Sequence, residues 1–185
     1  VAVGTSFGVT IMDHKAQGLT AIPLSELPSS AEGAGLAFKF RDTGWKLSVI
    51  SDLSLPWIQV EGAHVVNLNE GRIAVVSDFA YTIQNAPIDR LDIVFPANAE
   101  NVRVTGSDIR QEEQNKAVRT VVLQSKLSGT YHLRTTYDVA VTSNVQSVTI
   151  PVARTQGAER EQGVILVSTP PFLHVTEQER SKQTL

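Results

Sequence analysis

Cysteine is absent from the 185 residues. Disulfide frameworks, thiolate metal sites and cysteine nucleophiles are thereby excluded. No Asn-x-Ser/Thr acceptor occurs, which argues against a eukaryotic secreted origin. Charge of one sign is not in excess: the net charge is -3, with acidic and basic residues interspersed. That leaves no basic footprint for nucleic acid and describes an ordinary solvated surface. No apolar run reaches the ~18 residues that would span a bilayer, and no signal peptide is visible. Val1 opens inside an apolar alternating stretch without an initiator Met. The expectation is a chain excised or processed from a longer protein, with any targeting segment or anchor outside it.

What is present is period-two alternation. From Tyr131 to Val141, the residues Tyr131, Leu133, Tyr137, Val139 and Val141 share one face, while His132, Arg134, Thr136 and Asp138 share the other. Successive strand side chains point to opposite faces, so this predicts a strand with one buried and one wet face. The same reading applies to Ile73, Val75, Phe79, Tyr81 and Ile83, to Leu91, Ile93 and Phe95, and to Val102 and Val104. It also applies to Phe38 and Phe40, to Trp45, Leu47 and Val49, and to Val148, Ile150 and Val152. Residues Val164 to Val167 are apolar on both faces and read as a central strand. Turns are expected at Asp42-Thr43-Gly44, at Asn69-Glu70-Gly71 with Gly71 at positive φ, and at Ser128-Gly129. Pro96, Pro151 and Pro170-Pro171 mark strand ends or edges. Helical periodicity is scarce: Ser107 to Lys116 reads as one turn or a loop over the sheet.

The expected fold is all-β, an extended antiparallel β-sandwich with little helix. The expected organisation is an N-terminal strand region over 1–22, a loop rich in Ser, Pro, Gly and Ala over 23–35, the sandwich over 36–176, and a charged tail or linker over 177–185.

Candidate chemistry is sparse. Gly4-Thr5-Ser6-Phe7-Gly8 matches a G-x-S-x-G nucleophile pattern, which works when a strand feeds a sharp turn and then a helix. Here Val9 to Met12 continue as strand, so a turn or strand is the better reading of Ser6. His14, His64, His132 and His174 form no local pair at metal-ligand spacing. Asp78, Asp89, Asp92, Glu112, Glu113 and Asp138 could in principle supply a glycosidase pair, but read as structural surface groups. Asp138, four residues after Arg134, looks like charge balancing. Gly33-Ala34-Gly35 lacks the third glycine and the helix of a phosphate loop. Trp45 and Trp57 are the residues through which a sugar would be contacted, but both adjoin apolar alternation, and core packing is the better reading. No catalytic residue, cofactor or metal is expected.

Three stretches carry a resemblance: Tyr81-Thr82-Ile83-Gln84-Asn85-Ala86-Pro87 with Leu91-Asp92-Ile93-Val94-Phe95-Pro96; Gly129-Thr130-Tyr131-His132-Leu133-Arg134-Thr135-Thr136-Tyr137; and Arg160-Glu161-Gln162-Gly163-Val164-Ile165-Leu166-Val167. Over about residues 70 to 175 the chain resembles β-sandwich regions of large envelope proteins of bacteria such as planctomycetes and verrucomicrobia. The resemblance implies a periplasmic or cell-envelope location and brings no catalytic residues. The expectation is a non-catalytic structural or interaction module of a larger envelope protein. Its partners would be other domains of that protein or other envelope proteins. The alternative is a carbohydrate-binding or accessory domain of a glycan-processing enzyme.

Overall fold

The computed structural model describes residues 1–4, 8–28, 33–142 and 147–171. Among these residues, twelve strands and a single 3-10 turn at Leu24–Glu26 make up the regular structure, and the fold is all-β. The chain forms two compact units. The first comprises Val1–Trp57 together with Ile83–Ile88; the second comprises Ile58–Thr82 and the chain from Asp89 on.

In the first unit, β1 (Ala2–Gly4), β4 (Ala34–Phe40) and β3 (Leu19–Ala21) form an antiparallel sheet with β4 in the middle. A second, two-stranded sheet pairs β2 (Val9–Gln17) with β5 (Lys46–Leu53). Ala37 and Phe38 are buried, but little else is. Phe40, expected beside Phe38 on a buried face, is 50% exposed, and Val49 is also exposed. The alternation is real, but two narrow sheets offer too little surface to cover it. The segment Asp42-Thr43-Gly44 does not close a hairpin, because β4 and β5 belong to different sheets.

The second unit is built on two strands of 23 residues, β7 (Arg72–Val94), of which Ile83–Ile88 belong to the first unit, and β10 (Val118–Ala140). Gly71–Val141, Asp78–Arg134, Asp92–Thr120 and Phe95–Ala117 are all bonded across this antiparallel ribbon. Each step forward along β7 between these contacts is matched by an equal step back along β10. On that register Tyr137 lies at the level of Val75. A straight strand would hold Val75 about 65 Å from Phe95 at roughly 3.3 Å per residue. Yet the Phe95 and Tyr137 rings meet edge to face, 5.3 Å between centroids. The ribbon therefore folds back on itself, and its two halves form the two layers of a sandwich. The Tyr137 hydroxyl secures the fold-over: it donates to Pro151 O and accepts from Ala153 N, both at 2.7 Å. Burial pushes its pKa up to about 12. Gly129 (φ 82) lies within β10, so the expected Ser128-Gly129 turn is a bend in a continuous strand.

Each half of the ribbon gains flanking strands. On one half, β6 (Trp57–Asn69) joins β7, with β12 (Arg160–Ser168) outside it, and β8 (Ala99–Gly106) joins β10. On the other half, β11 (Arg154–Gln156) pairs with β7 and β9 (Ile109–Asn115) with β10. The β6–β7 turn is Glu70-Gly71, with Gly71 at φ 72, as its sequence predicts. The inward faces are the alternating residues: Val60, Val66 and Leu68; Ile73, Val75, Phe79 and Tyr81; Leu91, Ile93 and Phe95; Tyr131, Leu133, Tyr137 and Val139. Their burial, at roughly 1.5–3 kcal/mol per large side chain, is the main favourable contribution to this unit.

Three strand-level expectations change. Ser107 to Lys116 carries a two-residue turn and then β9, an edge strand rather than a loop. Residues 147–153, which include Val148, Ile150 and Val152, pair with no strand among the described residues. Val164 to Val167 lie in β12, which runs parallel to β6 at the rim of the sheet and not at its centre.

Candidate functional site

Two features of the second unit meet at β12: an apolar edge and a polar concave face. The edge is Val164, Ile165, Leu166 and Val167, exposed by 68, 51, 62 and 40%. In register, Val164 and Leu166 stand beside Ala63 and Val65, on the outer face of β6. Ile165 and Val167 stand beside His64 and Val66, on the inner face. Both faces of the strand are thus apolar and wet, and its far edge pairs with no strand among the described residues. A glycine pair seats the strand on β6. Gly163 lies opposite Gly62, and a Cβ on Gly163 would collide with the Gly62 carbonyl.

The outer face of the same layer bears an open concavity of about 1180 Å³. Its polar lining includes Glu61, Asp78, His132, Arg134, Arg160 and Gln162. Strand alternation places these side chains there, on the face opposite the core. They are largely committed to one another. Arg134 donates two bonds to the Asp78 carboxylate, at 2.6 and 2.9 Å. That bonded guanidinium holds the Asp78 carboxyl below its usual range, with His132 adding a smaller electrostatic pull. Gln162 donates to Glu61 at 3.2 Å and accepts from Arg160 at 2.7 Å. Glu161 accepts from the Thr155 amide and hydroxyl, tying β12 to β11. Carboxylates already engaged with cations and amides make poor proton acceptors, so the face suits binding better than acid–base work.

Beneath β12, His64 Nδ1 lies 2.8 Å from Ser77 Oγ, and its ring meets Phe79 edge to face at 5.5 Å. This is a serine–histidine contact, and both residues are buried in the core face. Burial lowers the His64 pKa, against a smaller opposite pull from Glu161. Gly62 makes room for the ring: a Cβ there would sit 2.8 Å from His64 Nε2. The Thr135 hydroxyl, on the same buried face, has no hydrogen-bond partner among the described residues, nor does that of Tyr81.

The remaining candidates scatter. Asp138 balances Arg72 at 3.6 Å and accepts from Asn101, rather than pairing with Arg134. Asp92 accepts from Thr120, Glu112 pairs with Arg119, and Glu113 with Arg90. His14 is exposed and edges onto Phe38 at 5.5 Å. Among the described residues no cluster of three or more His, Asp or Glu is arranged to hold a metal. Ser6 and His174 lie outside the described residues. Of the two tryptophans, Trp57 is half-buried at the start of β6. Trp45 is 37% exposed and tilts against Phe40, with centroids 5.8 Å apart.

A scan against protein-family models gives no match, and a search of curated proteins gives none either. Among solved structures, a two-domain M1 zinc metallopeptidase bound to L-tryptophan is 14% identical over 51% of this chain and 23% of its own, with a TM-score of 0.37. An M1 zinc metallopeptidase from Deinococcus radiodurans is 14% identical over 46% of this chain and 20% of its own, with a TM-score of 0.34. A GH20 exo-β-N-acetylglucosaminidase from Vibrio harveyi, in complex with N-acetylglucosamine, is 13% identical over 62% of this chain and 19% of its own, with a TM-score of 0.30. The chain thus spans about a fifth of the length of these structures. They assign it neither a family nor an activity.

Proposed function

We propose that the chain is a non-catalytic interaction module of a larger bacterial envelope protein, and that it engages its partner through the β12 edge. One observation carries this reading: four consecutive apolar residues stand exposed on both faces of a strand whose far edge is unpaired among the described residues. Open, flat, uncharged edges invite another strand, and folded proteins ordinarily guard them with charge, proline or a bulge. The resemblance of residues 70 to 175 to envelope-protein sandwiches supports the location.

The test is site-specific photo-crosslinking in the bacterium, with a benzophenone amino acid at Val164 or Leu166 and a control at Glu112 on β9. The reading expects adducts in the envelope fraction from the β12 positions and none from β9. Equal yields from both edges, or protein found in the cytosol, would overturn it.

A second reading, a carbohydrate-binding or accessory domain of a glycan-processing enzyme, is favoured by the exposure of Trp45 beside Phe40. Aromatic faces of this kind stack on sugar rings. Tryptophan fluorescence titrated with N-acetylglucosamine oligomers would respond in the wild type and not in Trp45→Ala. No response in either ends this reading.

A further inference from the structure

We infer that the partner engaged by β12 is a second copy of this chain, the two β12 strands pairing antiparallel about a two-fold axis through Ile165. The inference rests on the interaction-module reading above and names its partner.

The other edges of the sandwich are unlike this one. β8 carries Glu100 and Arg103, β9 carries Arg110, Glu112 and Glu113, and β11 is three residues long. Short length and charge are the usual guards against edge pairing. β12 has neither between Gly163 and Ser168. About Ile165 the uncharged stretch is symmetric, with Gly163 to Val167 flanked by Gln162 on one side and Ser168 on the other.

Charge selects the direction of pairing. Two copies side by side in parallel would set Arg160 against Arg160 and Glu161 against Glu161, and like charges directly opposite are destabilising. An antiparallel pair centred on Ile165 avoids both clashes. It sets Val164 opposite Leu166 of the second copy, Gly163 opposite Val167, and Gln162 opposite Ser168. Arg160 and Glu161 then face Pro170 and Thr169, which are uncharged. Opposed residues of an antiparallel ladder share a sheet face, so apolar meets apolar on both faces. The arrangement closes as an isologous dimer and leaves no further β12 edge for a third copy. Pro170-Pro171 ends the ladder beyond Thr169, since proline cannot donate to it.

The test is sedimentation velocity over a hundredfold range of concentration on wild type, Ile165→Lys, Ile165→Glu and Ile165→Val. Ile165 is 51% exposed, so these variants retain the fold, which circular dichroism checks. The inference expects wild type and Ile165→Val to move from monomer to dimer as concentration rises. Ile165→Lys and Ile165→Glu, which place like charges on the axis, stay monomeric at every concentration. An equimolar mixture of those two recovers a dimer by pairing lysine with glutamate. A wild type monomeric throughout, or a dimer indifferent to Ile165→Lys, overturns the inference. Crosslinks from Val164 to a different protein, with a monomeric wild type, overturn the second copy as partner while leaving the interaction module standing. Absence of any β12 crosslink removes both.

Discussion

Replacing Gly163 by alanine tests how β12 is held. Ordinary Cβ atoms stay beyond 3.0 Å of non-bonded heavy atoms, and a Cβ at this position falls well inside that limit of the Gly62 carbonyl. The obstacle is backbone, so no rotamer change relieves it. Two outcomes compete. The sheet can hold β12 in place under strain, at about 1–3 kcal/mol for an overpacked site. Alternatively, β12 can leave β6. Because its side chains are exposed, detachment gives up few apolar contacts, and the lost ladder is the main cost. Alanine also restricts the unfolded chain, which offsets about 0.4–1 kcal/mol. Detachment is the easier route. Global stability in urea should therefore fall by no more than about 3 kcal/mol, the upper end of that overpacking range. Amide protection from Arg160 to Ser168 should collapse while that of Ile73 to Tyr81 persists. Gly62→Ala differs, because its Cβ meets the His64 ring, a side chain that can move. Its β12 amides should stay protected. Wild-type protection of β12 in Gly163→Ala would refute the reasoning.

Further expectations follow from the core. Leu133→Ala, at a site 2% exposed, should cost about 2–5 kcal/mol in chemical denaturation. His132→Ala, on the outer face, should cost about 0.5 kcal/mol or less, and equal losses would mean the faces are misassigned. Tyr137→Phe leaves the Ala153 amide and Pro151 carbonyl unpaired in the fold-over and should cost about 1–3 kcal/mol; a neutral effect would remove that hydroxyl from the account. His64 has a folded pKa below its unfolded value, so the unfolded state takes up its proton first. The His64 contribution to stability should be whole above about pH 6.5 and fall as the pH drops below it. Urea midpoints measured from pH 7.5 to 5 should decline more steeply for wild type than for His64→Gln, and parallel declines would contradict this.

The sandwich was legible where one face of a strand is buried and the other is wet. Ile73 to Ile83 and Tyr131 to Val139 alternate because a core lies on one side only, and that pattern is local. Three things were not local. Val164 to Val167 read as central because apolar side chains on both faces ordinarily mean cover on both faces; their exposure depends on the absence of a further neighbouring strand among the described residues, which no window of sequence contains. Ser128-Gly129 has the composition of a chain reversal, but the long-range pairing of β10 with β7 carries the strand through it. Ser107 to Lys116 lacks alternation because β9 is exposed on both sides, so its pairing with β10 left no mark in hydropathy. Of the site itself, the Gly62–Gly163 contact joins residues far apart in sequence, and neither glycine stands at a turn. Trp45 and Phe40 alternate like core residues, and only the small size of their unit leaves them in water.

Hydrogen exchange of the β12 amides as a function of protein concentration tests the edge most directly. If β12 pairs with a second copy, those amides between Gly163 and Ser168 that point away from β6 should exchange freely in dilute solution and become protected as concentration rises, while those bonded to β6 stay protected throughout. Amides of Ile73 to Tyr81 should be equally protected throughout. Exchange of β12 that does not change with concentration, in a chain whose core is protected, would contradict pairing through this edge.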